Sequence, residues 1–141
     1  MAKQKHIIPV RPTDKLELTV EGQGSSGDGI CKYKGYTLFI PGGLPGDQIF
    51  AEVTKITPRF GITRIIEQRS PSPDRIKAPC PVFTQCGGCK LQDLKYSKQM
   101  EFKIGVVRDA LKHIGKIDSL SIESIPAEKT YNYRNKGSFA V

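Results

Sequence analysis

Three of the four cysteines of this 141-residue chain fall close together, as Cys80, Cys86 and Cys89, in a C-x5-C-x2-C spacing. No other feature constrains the fold as strongly, because the stretch must let three sulfur atoms meet. A thiolate is a strong ligand for soft metals, and two cysteines three residues apart can clamp one centre from a single turn. Gly87 and Gly88, which lie between them, tolerate positive φ and let backbone N–H groups approach sulfur. Pro79 and Pro81 keep the entry to the stretch out of a helix. The pattern reads as a loop wrapped around an inorganic centre, with an iron–sulfur cluster ranked ahead of zinc. A disulfide ranks behind both. The segment from Met1 to Arg11 is basic and lacks the apolar region of a secretory signal, so a cytoplasmic location is expected, where persistent disulfides are rare.

A chain of this length is one ordinary domain or two small ones, with a modest core. Lys and Arg number 22 against 14 Asp and Glu, a net charge of +8. Such a balance points to an anionic partner, nucleic acid being the commonest. No stretch approaches the apolar length of a membrane span, and no internal repeat is evident. We expect no membrane partner and a monomer.

Along the chain, residues 1–15 are polar and basic with two prolines and read as a flexible arm. Residues 16–20 alternate apolar and polar, as a half-buried strand does. Gly22 to Gly29 is a glycine-rich turn region that lacks the order of a phosphate-binding P-loop. Residues 30–33 and 36–40 read as a hairpin around Lys34-Gly35, and Pro41 to Asp47 as a tight turn. Residues 48–56 and 62–67 complete a set of five strands, separated by Pro58-Arg59-Phe60-Gly61. Short strands with glycine-rich turns suggest a small closed or nearly closed barrel, since closure removes exposed edges. The five-stranded OB-fold is the leading candidate. Cys31 falls in a barrel strand and reads as a core residue. The expected class is mainly β with a small α part.

Residues 69–79, rich in proline and charge, read as a linker. After the cysteine loop, Met100, Val107, Leu111 and Ile114 recur on one face of a helix over residues 96–114, with Gly115 placed to end it. His113 reads as a contact to the helix C-terminus. Loop and helix together occupy residues 80–116, and residues 117–141 begin something new.

The run Cys80-Pro81-x-Phe83-x-x-Cys86-Gly87-Gly88-Cys89-x-Leu91-Gln92 resembles the cluster loop of the RNA (uracil-5-)-methyltransferases, the 23S rRNA type in particular. Gly27-Asp28-Gly29-Ile30, Phe39-Ile40-Pro41 and Leu44-Pro45-Gly46-Asp47 resemble the TRAM domain, an OB-like RNA-binding module, over residues 16–68. Tyr133-Arg134-Asn135-Lys136 resembles the opening of that family's central β domain. The resemblance implies a [4Fe–4S] cluster held by Cys80, Cys86 and Cys89, with a fourth cysteine beyond residue 141. It also implies S-adenosylmethionine (SAM) as methyl donor, ribosomal RNA as partner, and a cysteine nucleophile with an acidic base. Neither a SAM site nor those catalytic residues can be placed in these 141 residues. The chain therefore reads as an inactive N-terminal portion of such an enzyme. Candidate RNA contacts, chosen as cations for phosphate and aromatics for stacking, are Lys32, Tyr33, Lys34, Tyr36, Lys55, Arg59, Phe60, Arg64, Arg134 and Lys136. The rival reading is a free-standing RNA-binding module with a structural zinc site made by Cys80, Cys86, Cys89 and either Cys31 or a histidine.

Overall fold

A computed structural model describes residues 8–133. The chain divides after Lys95 into two compact units. The first carries six strands and a one-turn helix: β1 (Lys15–Thr19), β2 (Gly22–Gln23), β3 (Gly29–Tyr33), β4 (Tyr36–Ile40), β5 (Gln48–Ile56), β6 (Phe60–Ser70) and α1 (Phe83–Cys86). The second carries α2 (Tyr96–His113).

Side chains alternate across a strand, and the alternation sets the core. Leu18, Cys31, Tyr36, Leu38, Ile40, Ile49, Ala51 and Val53 turn inward and are joined by Val10 and Val20. The strand order is β1-β5-β6-β4-β3-β2. Neighbours pair antiparallel except β4 and β6, which run parallel with Thr37 opposite Phe60 and Phe39 opposite Ile62. The two edge strands, β1 and β2, are separated in sequence only by Val20 and Glu21. They are two halves of one bent strand. At the bend the Val20 N–H donates to the Asp47 carbonyl (2.9 Å) and the Glu21 N–H to the Ile30 carbonyl (2.8 Å). The sheet thus curls until the chain itself joins its edges, giving an incompletely closed, OB-like barrel.

The expected strands are all present. The addition is β2, in the stretch read as a turn, because Gly22 has no side chain to show an alternation. Gly61 lets β6 pass close over the core. A Cβ built there would lie 2.8 Å from Leu38 Cδ2.

Beyond the barrel the structure departs from the expected linker. Ser72 is buried, its hydroxyl donating to the Pro45 carbonyl at 2.6 Å. Arg75 and Leu94 form an antiparallel bridge, flanked by bonds from the Ile76 N–H to the Asp93 carbonyl (2.8 Å) and from the Lys95 N–H to the Asp74 carbonyl (3.0 Å). The cysteine loop therefore rises from a two-stranded stem, and the first compact unit includes it.

In the second unit, α2 ends one residue before the expected helix end. Lys116, at φ 57°, takes the left-handed position expected of Gly115. Ile114 and Val107 are 83% and 48% exposed, and Tyr96 Oη accepts the Ala127 N–H at 2.7 Å. Among the described residues, no helix is long and apolar enough to cross a membrane.

Candidate nucleic-acid interface and cysteine loop

One end of the barrel gathers most of the candidate RNA contacts. The β3–β4 turn supplies Tyr33 and Lys34, and the β5–β6 turn supplies Arg59 and Phe60. The parallel pairing of β4 with β6, which starts at Thr37 and Phe60, sets these two turns side by side. Lys32 pairs across from Thr37 on β3, and Lys55 lies near the end of β5, opposite Ile62. Lys32, Lys34, Lys55 and Arg59 are exposed. Lys34 Nζ stands 5.4 Å from the Tyr33 ring centroid, a cation–π contact. Phe60 and Phe39 form an edge-to-face pair with centroids 5.3 Å apart, so Phe39 belongs to this surface although sequence reasoning left it out. Arg64 lies further along β6 and pairs with Glu52 at 2.6 Å.

Tyr36 does not belong to this surface. It is 6% exposed and its hydroxyl donates to the Thr57 carbonyl at 2.7 Å. Its ring fills the core and its polar end fastens the β5–β6 turn, so it has no face free for a base. Arg134 and Lys136 lie outside the described residues.

At the foot of the cysteine loop, Asp47 is fully buried. It accepts the Leu44 N–H (2.7 Å), the Ser72 N–H (2.7 Å) and the Gln68 side-chain amide (2.8 Å). The Arg75 guanidinium donates to both of its oxygens. The same guanidinium donates to Asp93 and to the Gly42 carbonyl (2.8 Å). Burial alone would push the Asp47 carboxyl up. The bond from Arg75, aided by the Leu44 and Ser72 N–H groups, outweighs it and holds the carboxyl below the usual range. For Asp93 burial wins over the pull of Arg75, and its carboxyl is raised. This carboxylate–guanidinium–carboxylate clamp fixes the loop stem to the barrel turn that follows β4. The sequence signal for Asp47 was its place closing the Leu44-Pro45-Gly46-Asp47 turn, where a short carboxylate reaches back to a nearby N–H. Nothing local marks Arg75 or Asp93, which meet Asp47 only through the fold.

The loop contains the one-turn helix α1, whose end is Gly87 in the left-handed region (φ 69°). Cys80, Cys86 and Cys89 are free thiols, Cys80 half-buried and the other two exposed. Gln92 links two of them: its carbonyl accepts the Cys80 N–H at 3.1 Å, and its amide points at Cys89 Sγ, 3.9 Å away. The donor set suits three corners of a thiolate-held cluster. The side chains are not gathered on one point, however. Among the described residues, no three Cys, His, Asp or Glu groups are placed to hold a metal ion.

Cys31 lies in the barrel core at 3% exposure, and burial pushes its thiol up to about 11. The fold places it among the inward-facing core residues, with Leu38 opposite it on β4, and not with the three cysteines of the loop. Of the histidines, His113 has Nδ1 3.0 Å from the Asp109 carbonyl of its own helix, and His6 lies outside the described residues.

Comparison with known proteins agrees with this architecture. Residues 9–66 match the TRAM domain family. The whole chain is 42% identical over 142 residues to an uncharacterized RNA methyltransferase of Halalkalibacterium halodurans, covering 31% of that protein. It is 38% identical over 132 residues to one of Listeria monocytogenes, with 94% of this chain and 29% of the relative covered. Among solved structures, the tRNA (uracil-54, C5)-methyltransferase of Pyrococcus abyssi, in complex with S-adenosyl-L-homocysteine, superposes with a TM-score of 0.50 at 29% identity. The match covers 80% of this chain and 24% of that one. The barrel is a TRAM domain, and the chain has close homologues named as RNA methyltransferases. It spans about three-tenths of the length of the curated relatives it matches.

Proposed function

We propose that the chain is the RNA-holding and [4Fe–4S]-binding N-terminal portion of a SAM-dependent 23S rRNA (uracil-5-)-methyltransferase, a cytoplasmic monomer that forms 5-methyluridine. The observation that carries the RNA-holding part is the cluster of Lys32, Lys34, Lys55, Arg59, Tyr33 and Phe60 at one end of a TRAM barrel. Cations there draw phosphate, and aromatics offer faces to unpaired bases. Cys80, Cys86 and Cys89 would hold the cluster together with a fourth ligand from outside this chain, and the cluster would serve as a structural brace. SAM, the nucleophile that attacks the uracil ring, and the general base belong to the whole protein. What this chain does is bind RNA and orient it.

The test is methyl transfer. The full-length parent protein, given radiolabelled SAM and unmodified 23S rRNA, is expected to label the rRNA, while the 141-residue chain alone labels nothing. Labelling of tRNA but not rRNA by the parent would overturn the rRNA assignment. Labelling by the isolated chain, free of host methyltransferase, would overturn the division of labour.

A further inference from the structure

A cleft of about 710 Å³ lies between the barrel and the cysteine loop. Ile62, Arg64 and Ile65 of β6 line its barrel side, and Phe83 and Lys90 line its loop side. Its volume is in the usual range of small-ligand sites, about 300–1,000 Å³, large enough for a nucleotide and far too small for a duplex.

The cleft's chemistry is divided in the way a nucleotide is divided. Ile62, Ile65 and Phe83 provide apolar and aromatic surface. Arg64 and Lys90 provide cations whose side chains are 71% and 58% exposed. Each cation leans on a carboxylate, Arg64 on Glu52 (2.6 Å) and Lys90 on Asp28 (3.3 Å). The carboxylates are the more sheltered partners, Glu52 at 19% and Asp28 at 20% exposure, but a guanidinium has five N–H donors and an ammonium three, so each cation can reach a phosphate while keeping its carboxylate. The remaining charges lining the cleft, Arg75 and Asp93, are committed to each other and to Asp47 in the clamp. The clamp also ties the stem of the loop to the barrel turn beside the cleft.

We propose that this cleft takes one unpaired nucleotide of the bound RNA, with the base against Phe83 and Ile62 and its phosphate on Arg64 and Lys90. The inference rests on the RNA-binding reading above and adds to it a second contact, on the part of β6 that follows the charged barrel end and faces the cysteine loop.

The test is photocrosslinking of the chain to single-stranded RNA carrying 5-iodouridine, with the crosslinked peptides mapped by mass spectrometry. A crosslink at Phe83 is expected. Phe83→Leu should abolish it and weaken binding about fivefold, the lower end of the loss for one stacked base. Lys90→Glu should weaken binding by at least about fivefold and flatten the salt dependence. Lys15→Glu, on edge strand β1, should leave affinity unchanged. Melting curves show that each variant is folded, and Lys90→Glu, at an exposed position, tests the cleft independently of packing around Phe83. Salt-dependent binding with crosslinks only at Phe39 or Phe60 would overturn the cleft and leave the RNA-binding reading standing. Equal losses from Lys15→Glu and Lys90→Glu would mean diffuse attraction and also overturn it. Absence of any RNA binding would overturn both.

Discussion

Asp47 is the buried side chain at which the barrel turn and the cysteine stem meet. A buried carboxylate is costly unless paired and hydrogen-bonded, and here Arg75 and the Leu44 and Ser72 N–H groups satisfy it. Arg75→Ala would leave that charge uncompensated, and we expect a loss of about 3 kcal/mol, read as a fall in Tm. Acid should also act through this residue. The Asp47 carboxyl is held low, so its contribution is complete above the ordinary aspartate pKa of about 3.9 and is lost as pH falls through its lower folded value. Asp93 is raised and works in the opposite sense: its contribution is complete below the ordinary value and fades as pH rises through its own. Asp47→Asn should therefore be less stable than the parent at pH 7 and lose less on acidification below about pH 4. Identical acid slopes in melting experiments would contradict the clamp. Tyr36 shows what was legible at this scale. It alternates with Leu38 and Ile40 on one strand, a pattern that could have placed it on the inward face, but its aromatic character led to a stacking role instead. Phe39 sits on the opposite face, and the same alternation could have identified it as a surface residue. The Arg75–Asp47 pairing was not legible, because it depends on two segments being folded together.

Among the elements, the strands were the most readable, since β-branched and aromatic residues alternate through β4 and β5 and glycine-rich turns bound them. The bent β1–β2 strand was half visible: Leu16, Leu18 and Val20 carry the pattern, and it disappears at Gly22. The segment before the cysteines reads in sequence as a linker, and the structure bonds it to the barrel. Its prolines mark an irregular path but do not reveal that Ser72 and Arg75 bond back to the barrel. Within the loop, the C-x5-C-x2-C spacing gave the donor set, while α1 and the Gln92 link to Cys80 and Cys89 came only with the structure. If the loop holds a cluster as proposed, Cys80→Ser, Cys86→Ser and Cys89→Ser in the full-length protein should each abolish bound iron, because each removes one of four ligands. Cys31→Ser should leave iron content unchanged, since that thiol is buried in the core. Iron retained in all three loop variants, or lost in the Cys31 variant, would show that the centre is elsewhere. Stoichiometric zinc in a colourless protein would identify a different metal.

For the molecule as a whole, the net charge of +8 and the TRAM domain over residues 9–66 bear on the same question of what the barrel holds. Charge alone would attract any polyanion. The register of β4 with β6 is what gathers the cations and aromatics at one end, and a basic protein without that focus would bind diffusely. The most direct measurement is therefore the affinity of the chain for single-stranded RNA across a series of salt concentrations, compared with a variant carrying Lys55→Ala, Arg59→Ala and Arg64→Ala together. Each phosphate contact to a single strand contributes about 0.7 to the slope of log affinity against log salt. If the barrel end and β6 hold the RNA, the parent binds with a steep slope and the triple variant binds more weakly, its slope reduced by about 2. If both proteins give the same affinity and the same slope, the RNA does not lie on this surface.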